Sequence, residues 1–171
     1  MGAYMKHFPT WKTICIGGVA REELVTWIPP RADYCTLPPL AEVLLGYDTF
    51  QTEMKERHVR LGRASFLDLE LSRPTLFSQI LVRIRELGHE LCPAEVGPHL
   101  RRVYKEQEPW DKCIYLAMEP FNGANRNSVE PHNLIFRLDH DNMNKQQLEL
   151  TWVGSPDVKM SGGEFVFVLG E

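Results

Sequence analysis

The chain has 171 residues, 43% of them hydrophobic and 25% charged, which describes one soluble globular domain with a sizeable core and excludes a disordered polymer. No apolar run approaches the roughly 20 residues a membrane helix needs, and Met1-Gly2-Ala3-Tyr4-Met5-Lys6 lacks an apolar signal region, so a cytoplasmic protein without a membrane partner is expected. The formal charge of −4 is uneven, with ten Lys/Arg against six Asp/Glu over 55–105 and nine against seventeen elsewhere, a basic middle too diluted by acids for the stripe of a nucleic-acid binder.

Lys12-Thr13-Ile14-Cys15-Ile16 is a β-branched run ended by Gly17-Gly18. Arg21 to Ile28 then reads as a short helix stopped by Pro29-Pro30. Strand, glycine pair and helix can hold a phosphate, but neither GxGxxG nor GxxxxGK[ST] is present, and a tight turn explains the glycines equally well. Residues 29–39 form a proline-rich connector around Tyr34 and Cys35, and Leu40 to Leu45 suits a helix ended by Gly46. Arg57 to Leu61 alternates as a strand until Gly62, and Phe66 to Leu71 alternates again as a strand, a turn or a helix start.

The clearest helix follows, because Leu76, Phe77, Ile80, Leu81, Ile84 and Leu87 make one apolar stripe ended by Gly88. Beyond residue 107 the pattern turns to strands at 112–118, 134–138, 147–153 and 165–169, separated by turns at 122–125, 139–144 and 161–163. Helix-rich first half and strand-rich second half give an α+β class: a single domain over 1–171, its mainly antiparallel sheet packed against two to four helices. Residues 1–11 read as a loose N-terminal extension. The apolar 165–169 strand would form a homodimer edge if exposed, with burial inside one chain the simpler expectation.

The densest polar chemistry lies between Leu91 and Gln107. Pro98 suits the first turn of a helix, Glu95 precedes it at the positive end of its dipole, and Leu100, Val103 and Tyr104 share a face. One reading is a rim in which Arg101 or Arg102 grips an anion, Tyr104 positions it, and Glu95 or His99 handles protons. The other is a capped helix with a Glu–Arg surface pair and a buried tyrosine. Two or three of Trp11, Trp27, Trp110 and Trp152 should help fill the core, and Trp110, between Pro109 and Asp111, is expected to be partly exposed and a candidate anchor. Glu119, before Pro120, could face Glu95 as a paired carboxylate.

Neither His89-x2-Cys92-x6-His99 nor the His132, Asp139, His140, Asp141 cluster matches a metal pattern, so no metal and no cofactor are expected. No GxSxG surrounds any serine. Cys92 could be a thiolate near a helix start, or a buried thiol. Cys15, Cys35, Cys92 and Cys113 form no CxxC pair and read as reduced thiols.

The stretch Leu87-Gly88-His89-Glu90-Leu91-Cys92-Pro93-Ala94-Glu95-Val96-Gly97-Pro98-His99-Leu100-Arg101, on to Tyr104 and Gln107, resembles a group of small bacterial proteins of unknown function. Ala117-Met118-Glu119-Pro120, Phe165-Val166-Phe167-Val168, and Gly17-Gly18-Val19 with Glu22-Glu23-Leu24 look similar too. Members sometimes carry a helicase label, which a chain without a P-loop lysine and too short for two motor lobes does not support. The resemblance implies a bacterial, cytosolic, single-domain protein and leaves activity open.

The functional expectation is a non-catalytic module whose helix–sheet groove holds a small molecule or protein partner through Glu95, His99, Arg101, Arg102, Tyr104, Trp110 and Glu119. The alternatives are a hydrolytic enzyme using Glu95, Glu119, His99 or Cys92, and weak nucleic-acid association through Arg57, Arg60, Arg63, Arg83, Arg101 and Arg102.

Overall fold

The computed structural model describes residues 6–28, 44–46, 50–124, 131–140, 145–154 and 159–170. The 29–39 connector with Cys35, most of the helix expected at 40–45, and positions 141–144 lie outside the described residues. In chain order the elements are β1 (Lys12–Ile16), α1 (Arg21–Thr26), β2 (Arg57–Ala64), β3 (Thr75–Leu76), α2 (Phe77–Glu86), α3 (Val96–Val103), β4 (Ile114–Leu116), β5 (Phe121–Ala124), β6 (Pro131–His140), β7 (Gln146–Trp152), β8 (Lys159–Met160) and β9 (Glu164–Val168). Residues 44–46 add a helical turn.

Seven strands form one sheet in which β1, β2, β9, β4 and β6 are successive neighbours, antiparallel except for β9 beside β4. Leu138 on β6 opposes Ile114 of β4 and Leu148 of β7, and Leu134 opposes Phe121 of β5 and Trp152 of β7. A strand has two edges, so β4 and β5 share one edge of β6 as a single strand interrupted at 117–120, and β7 takes the other. Pro120, with no N–H to give a ladder, stands in that interruption. The fold is α+β, as the sequence pattern predicts.

Helix α3 touches β1 at one end of the sheet and β6 and β7 at the other, so the sheet curls around it. The inner face supplies Ile14, Ile16, Leu61, Leu116, Phe136 and Leu138, all buried. Gly97 allows the closest approach: a Cβ there would stand 2.6 Å from the Phe136 ring. The consequence is a helix with few free faces. Val96 through Arg101 are all buried, and Arg102 and Val103 are exposed.

Helix α2 buries Phe77, Ile80, Leu81 and Ile84, as its stripe predicts. Gly88, at φ +86°, ends it with a double backbone lock, its N–H bonding Arg85 O at 3.0 Å and the His89 N–H bonding Ile84 O at 3.2 Å.

Two expectations are corrected, the turn at 122–124 and the loose extension over 6–11. Residues 122–124 are not a turn but β5, because pairing with β6 overrides local turn preference. Of the three readings open for 66–71 the turn holds over 66–70, tied by the Ser65 N–H donating to the Asp68 carboxylate at 2.8 Å. Residues 6–11 are not loose: Phe8 is buried between His89 and Phe167, at ring distances of 5.3 and 5.2 Å. Strand β9 follows the simpler expectation for 165–169: it is central in the sheet, its Phe165 to Val168 run buried on both faces. The core encloses Phe50, Phe66, Phe121, Phe136, Phe165 and Phe167, with half-buried Trp11 and Trp27 packed against it and Trp110 and Trp152 exposed. No helix of the described residues is long and apolar enough to cross a membrane.

Candidate functional site

Helix α3 and its flanks carry most of the expected site residues, and the curl of the sheet decides which of them can meet a ligand. Glu95 occupies the N-cap position, but its carboxylate turns away from its own helix. One oxygen accepts the Gly17 N–H at 3.1 Å and the other the Glu53 N–H at 3.0 Å. Gly17 and Gly18 hold φ values of +82° and +70°, and the Gly18 N–H is bonded to Glu53 O at 2.9 Å. The amides of the glycine turn are therefore already engaged, and the tight-turn reading accounts for them. Glu95 is fully enclosed, and burial raises its pKa against the pull of the two N–H donors.

His99, one turn along, points its Nε2 at Glu95 Oε2 across 3.8 Å, beyond hydrogen-bond reach. That nitrogen is buried and has no partner. Burial first, and the Arg102 charge second, hold the imidazole pKa below its ordinary value. The ring meets the Trp27 indole edge-on at 5.2 Å, and the Arg102 guanidinium lies over the same indole at 4.1 Å. Trp27, His99 and Arg102 thus form one cluster where the end of α1 meets α3. Nothing in the sequence pairs Trp27 with His99, because the two lie 72 positions apart and an isolated tryptophan carries no pairing signal.

Arg101 points inward on another side of α3. Its guanidinium donates to Gln107 Oε1 at 2.7 Å, to Gln146 Oε1 at 2.9 Å and to the Tyr104 carbonyl. Burial lowers its pKa to about 10. Gln107 and Gln146 are held in turn by Leu138 O, Lys105 O and Gln107 O. This ties the 104–107 strap to β6 and β7. Tyr104 is buried, its ring edge-on to Trp11 at 5.0 Å and under Lys12 Nζ at 4.9 Å. The motif therefore combines the buried tyrosine of one reading with a buried carboxylate that neither a surface pair nor an open rim would have.

Glu119 and Trp110 stand apart. Glu119 is exposed and paired with Arg85, so it does not face the enclosed Glu95. Trp110 is 81% exposed. Cys92 is enclosed, its thiol 3.4 Å from Val166 O and held protonated by burial. Among the described residues no three His, Cys, Asp or Glu side chains converge to hold a metal ion. Of the six arginines weighed for nucleic acid, Arg57, Arg63 and Arg83 are paired with Glu53, Glu164 and Glu70, and Arg101 is buried.

A second polar ladder escaped the sequence reading. The register places Tyr115 beside Arg137 and Arg137 beside Glu149, with Arg137 Nε at 2.9 Å from the Glu149 carboxylate. Burial pushes the Tyr115 phenol and the nearby Cys113 thiol each up to about 12, so both stay protonated at neutral pH. The available signal was period two: polar residues at 113 and 115, at 137 and 139, and at 147 and 149.

No protein-family model, curated protein or solved structure matches the chain.

Proposed function

We propose that the protein is a small-ligand-binding module, with its ligand held at the junction of α1 and α3 by Trp27, His99 and Arg102. One observation carries the reading: His99 is more than nine-tenths buried against the Trp27 indole, yet its Nε2 has no hydrogen-bond partner. An unmatched buried nitrogen costs on the order of 1–3 kcal/mol, which a ligand atom reaching it recovers. Arg102 adds an exposed cation with no ion-pair partner among the described residues, and Trp27 adds a half-buried aromatic face. In this reading Glu95, Arg101 and Tyr104 hold α3 in position and do not touch the ligand. The free thiols of Cys15, Cys92 and Cys113 suit the cytoplasmic setting proposed with it.

The test is a thermal-shift screen against metabolites and nucleotides, repeated on Trp27→Ala and Arg102→Ala. A ligand that raises the wild-type melting temperature should lose that effect in both variants. No shift in the wild type, or a shift kept by both variants, ends the reading.

A second reading, general acid–base catalysis by Glu95 and His99, draws on their 3.8 Å separation and on burial moving their pKa values in opposite directions. Against it, both carboxylate oxygens are already bonded to backbone N–H groups. A hydrolytic activity lost in both His99→Ala and Glu95→Gln would favour it over binding.

A further inference from the structure

We propose that Arg101 is the receptor for a small oxyanion, a carboxylate or a phosphate, at the carboxyl-terminal end of α3, a site separate from the Trp27, His99 and Arg102 cluster. The guanidinium is 5% exposed, and every group it bonds is a neutral oxygen: Gln107 Oε1, Gln146 Oε1 and the Tyr104 carbonyl. Among the described residues it has no carboxylate at ion-pair distance, and the acid that acts on it, Glu106, is paired with Lys12 at 3.2 Å. Removing a permanent cation from water without a counter-ion is costly, and guanidiniums at such depth are ordinarily paired with an acid.

The donors are also incompletely used. Three hydrogen bonds leave two of the five N–H groups over, and Nε is buried with no partner. His140 belongs to the same network, its Nδ1 lone pair left without a donor, a want that an anion does not meet. Its ring bonds through Nε2 to Gln107 O at 3.0 Å, and the Gln107 side chain binds Arg101. Neither glutamine can rotate its amide to help, because each already donates to a backbone carbonyl. What the network lacks is negative charge and an acceptor for the Arg101 Nε–H. An oxyanion supplies both, in the geometry guanidinium groups prefer. Exposed Lys105, whose Nζ donates to the Arg101 backbone carbonyl at 3.3 Å, adds a second cation nearby.

The experiment compares melting temperature in a zwitterionic buffer with potassium chloride, potassium phosphate and potassium acetate at matched ionic strength. Phosphate, acetate or both should give a saturable rise over the chloride control, on the order of 5 °C at a hundredfold excess over Kd. Which of them acts separates a phosphate ligand from a carboxylate one. Arg101→Lys, which keeps the charge and loses the Nε–H, should abolish the rise. If that variant does not fold, Gln146→Glu gives the same information by placing a carboxylate where Oε1 stands 2.9 Å from the guanidinium, which should remove the anion dependence. No rise over chloride in the wild type overturns the proposal, and so does a rise retained by Gln146→Glu.

Discussion

The two ends of α3 meet the same problem, a buried charge, by different means. At the amino-terminal end Glu95 lies where the helix dipole favours an anion, and at the carboxyl-terminal end Arg101 lies where it favours a cation. Each is bonded by backbone or amide groups instead of an opposite ion: two N–H donors for Glu95, and three oxygens for Arg101, whose Nε is left without a partner. The difference is the escape route. Burial raises the Glu95 pKa, so that end can shed its charge by taking up a proton. Arg101, lowered only to about 10, stays charged at neutral pH and needs acceptors around it, three of which the folded strap and β7 supply. The lesson is that the same helix tolerates a titratable charge at one end and requires a built cage at the other.

The largest effect should therefore come from the cage. Arg101→Met strands Gln107 Oε1, Gln146 Oε1 and the Tyr104 carbonyl without donors, and we expect a loss of about 3–5 kcal/mol in denaturant unfolding. Glu95→Gln keeps one acceptor and removes a buried charge, so about 1 kcal/mol is expected at pH 7. Equal losses in the two variants would break the comparison. Gly97→Ala lies between the two ends and should disturb both together. Its new methyl would meet the Phe136 ring at 2.6 Å, and overpacking of this kind costs about 1–3 kcal/mol. Chemical shifts in both the Gly17 and Gln146 amides would register the displaced helix, and a change confined to one end would show that the ends move independently.

Acid sharpens the contrast. Because the folded Glu95 pKa lies above the model value of 4.5, the folded state holds a proton that the unfolded chain has released. Its contribution to stability is full below 4.5 and is lost as pH rises through the raised folded value. The wild-type protein should therefore lose stability relative to Glu95→Gln as pH is taken upward from 4.5, with unfolding curves at each pH as the measurement. A difference that does not change with pH, or that changes in the opposite sense, would mean the two N–H bonds outweigh burial.

Much of this architecture was legible in the chain, and what was not has a common cause. The α2 stripe, the Gly88 stop and the β1 and β6 strands announced themselves because their signals are local: periodicity, a glycine after the last turn, β-branched runs. The density of polar groups at 91–107 was equally visible. What the pattern could not say was that the sheet closes around α3, since that depends on β1 and β7 ends 130 residues apart coming to the same helix. An enclosed helix differs from an amphipathic surface helix here by burying Gly97, His99 and Arg101 along with Val96 and Leu100, and period alone assigns Arg101 to the solvent side. Trp27 and His99 meet for the same non-local reason.

The smallest effect concerns two imidazoles that burial treats alike and hydrogen bonding treats differently. His89 is matched on both nitrogens: Nε2 donates to Lys6 O at 2.8 Å and Nδ1 accepts the Gly170 N–H at 3.2 Å. His99 has its Nε2 free and a carboxylate 3.8 Å away. Both pKa values are lowered from 6.5, so each ring's contribution is full above 6.5 and is lost as pH falls toward the lowered folded value. Protonating His89 turns its Nδ1 into a donor facing another donor, whereas protonating His99 gives Glu95 a cation. Imidazole NMR titration should therefore find His89 titrating below His99, with exchange of the Gly170 amide accelerating as His89 charges. Arg102→Ala should shift His99 upward, a small change because Arg102 is exposed, and leave His89 where it was. If His99 fails to move, the guanidinium over Trp27 lies too far from the imidazole to act on it, and the α1–α3 cluster would be a packing contact instead of a polar site.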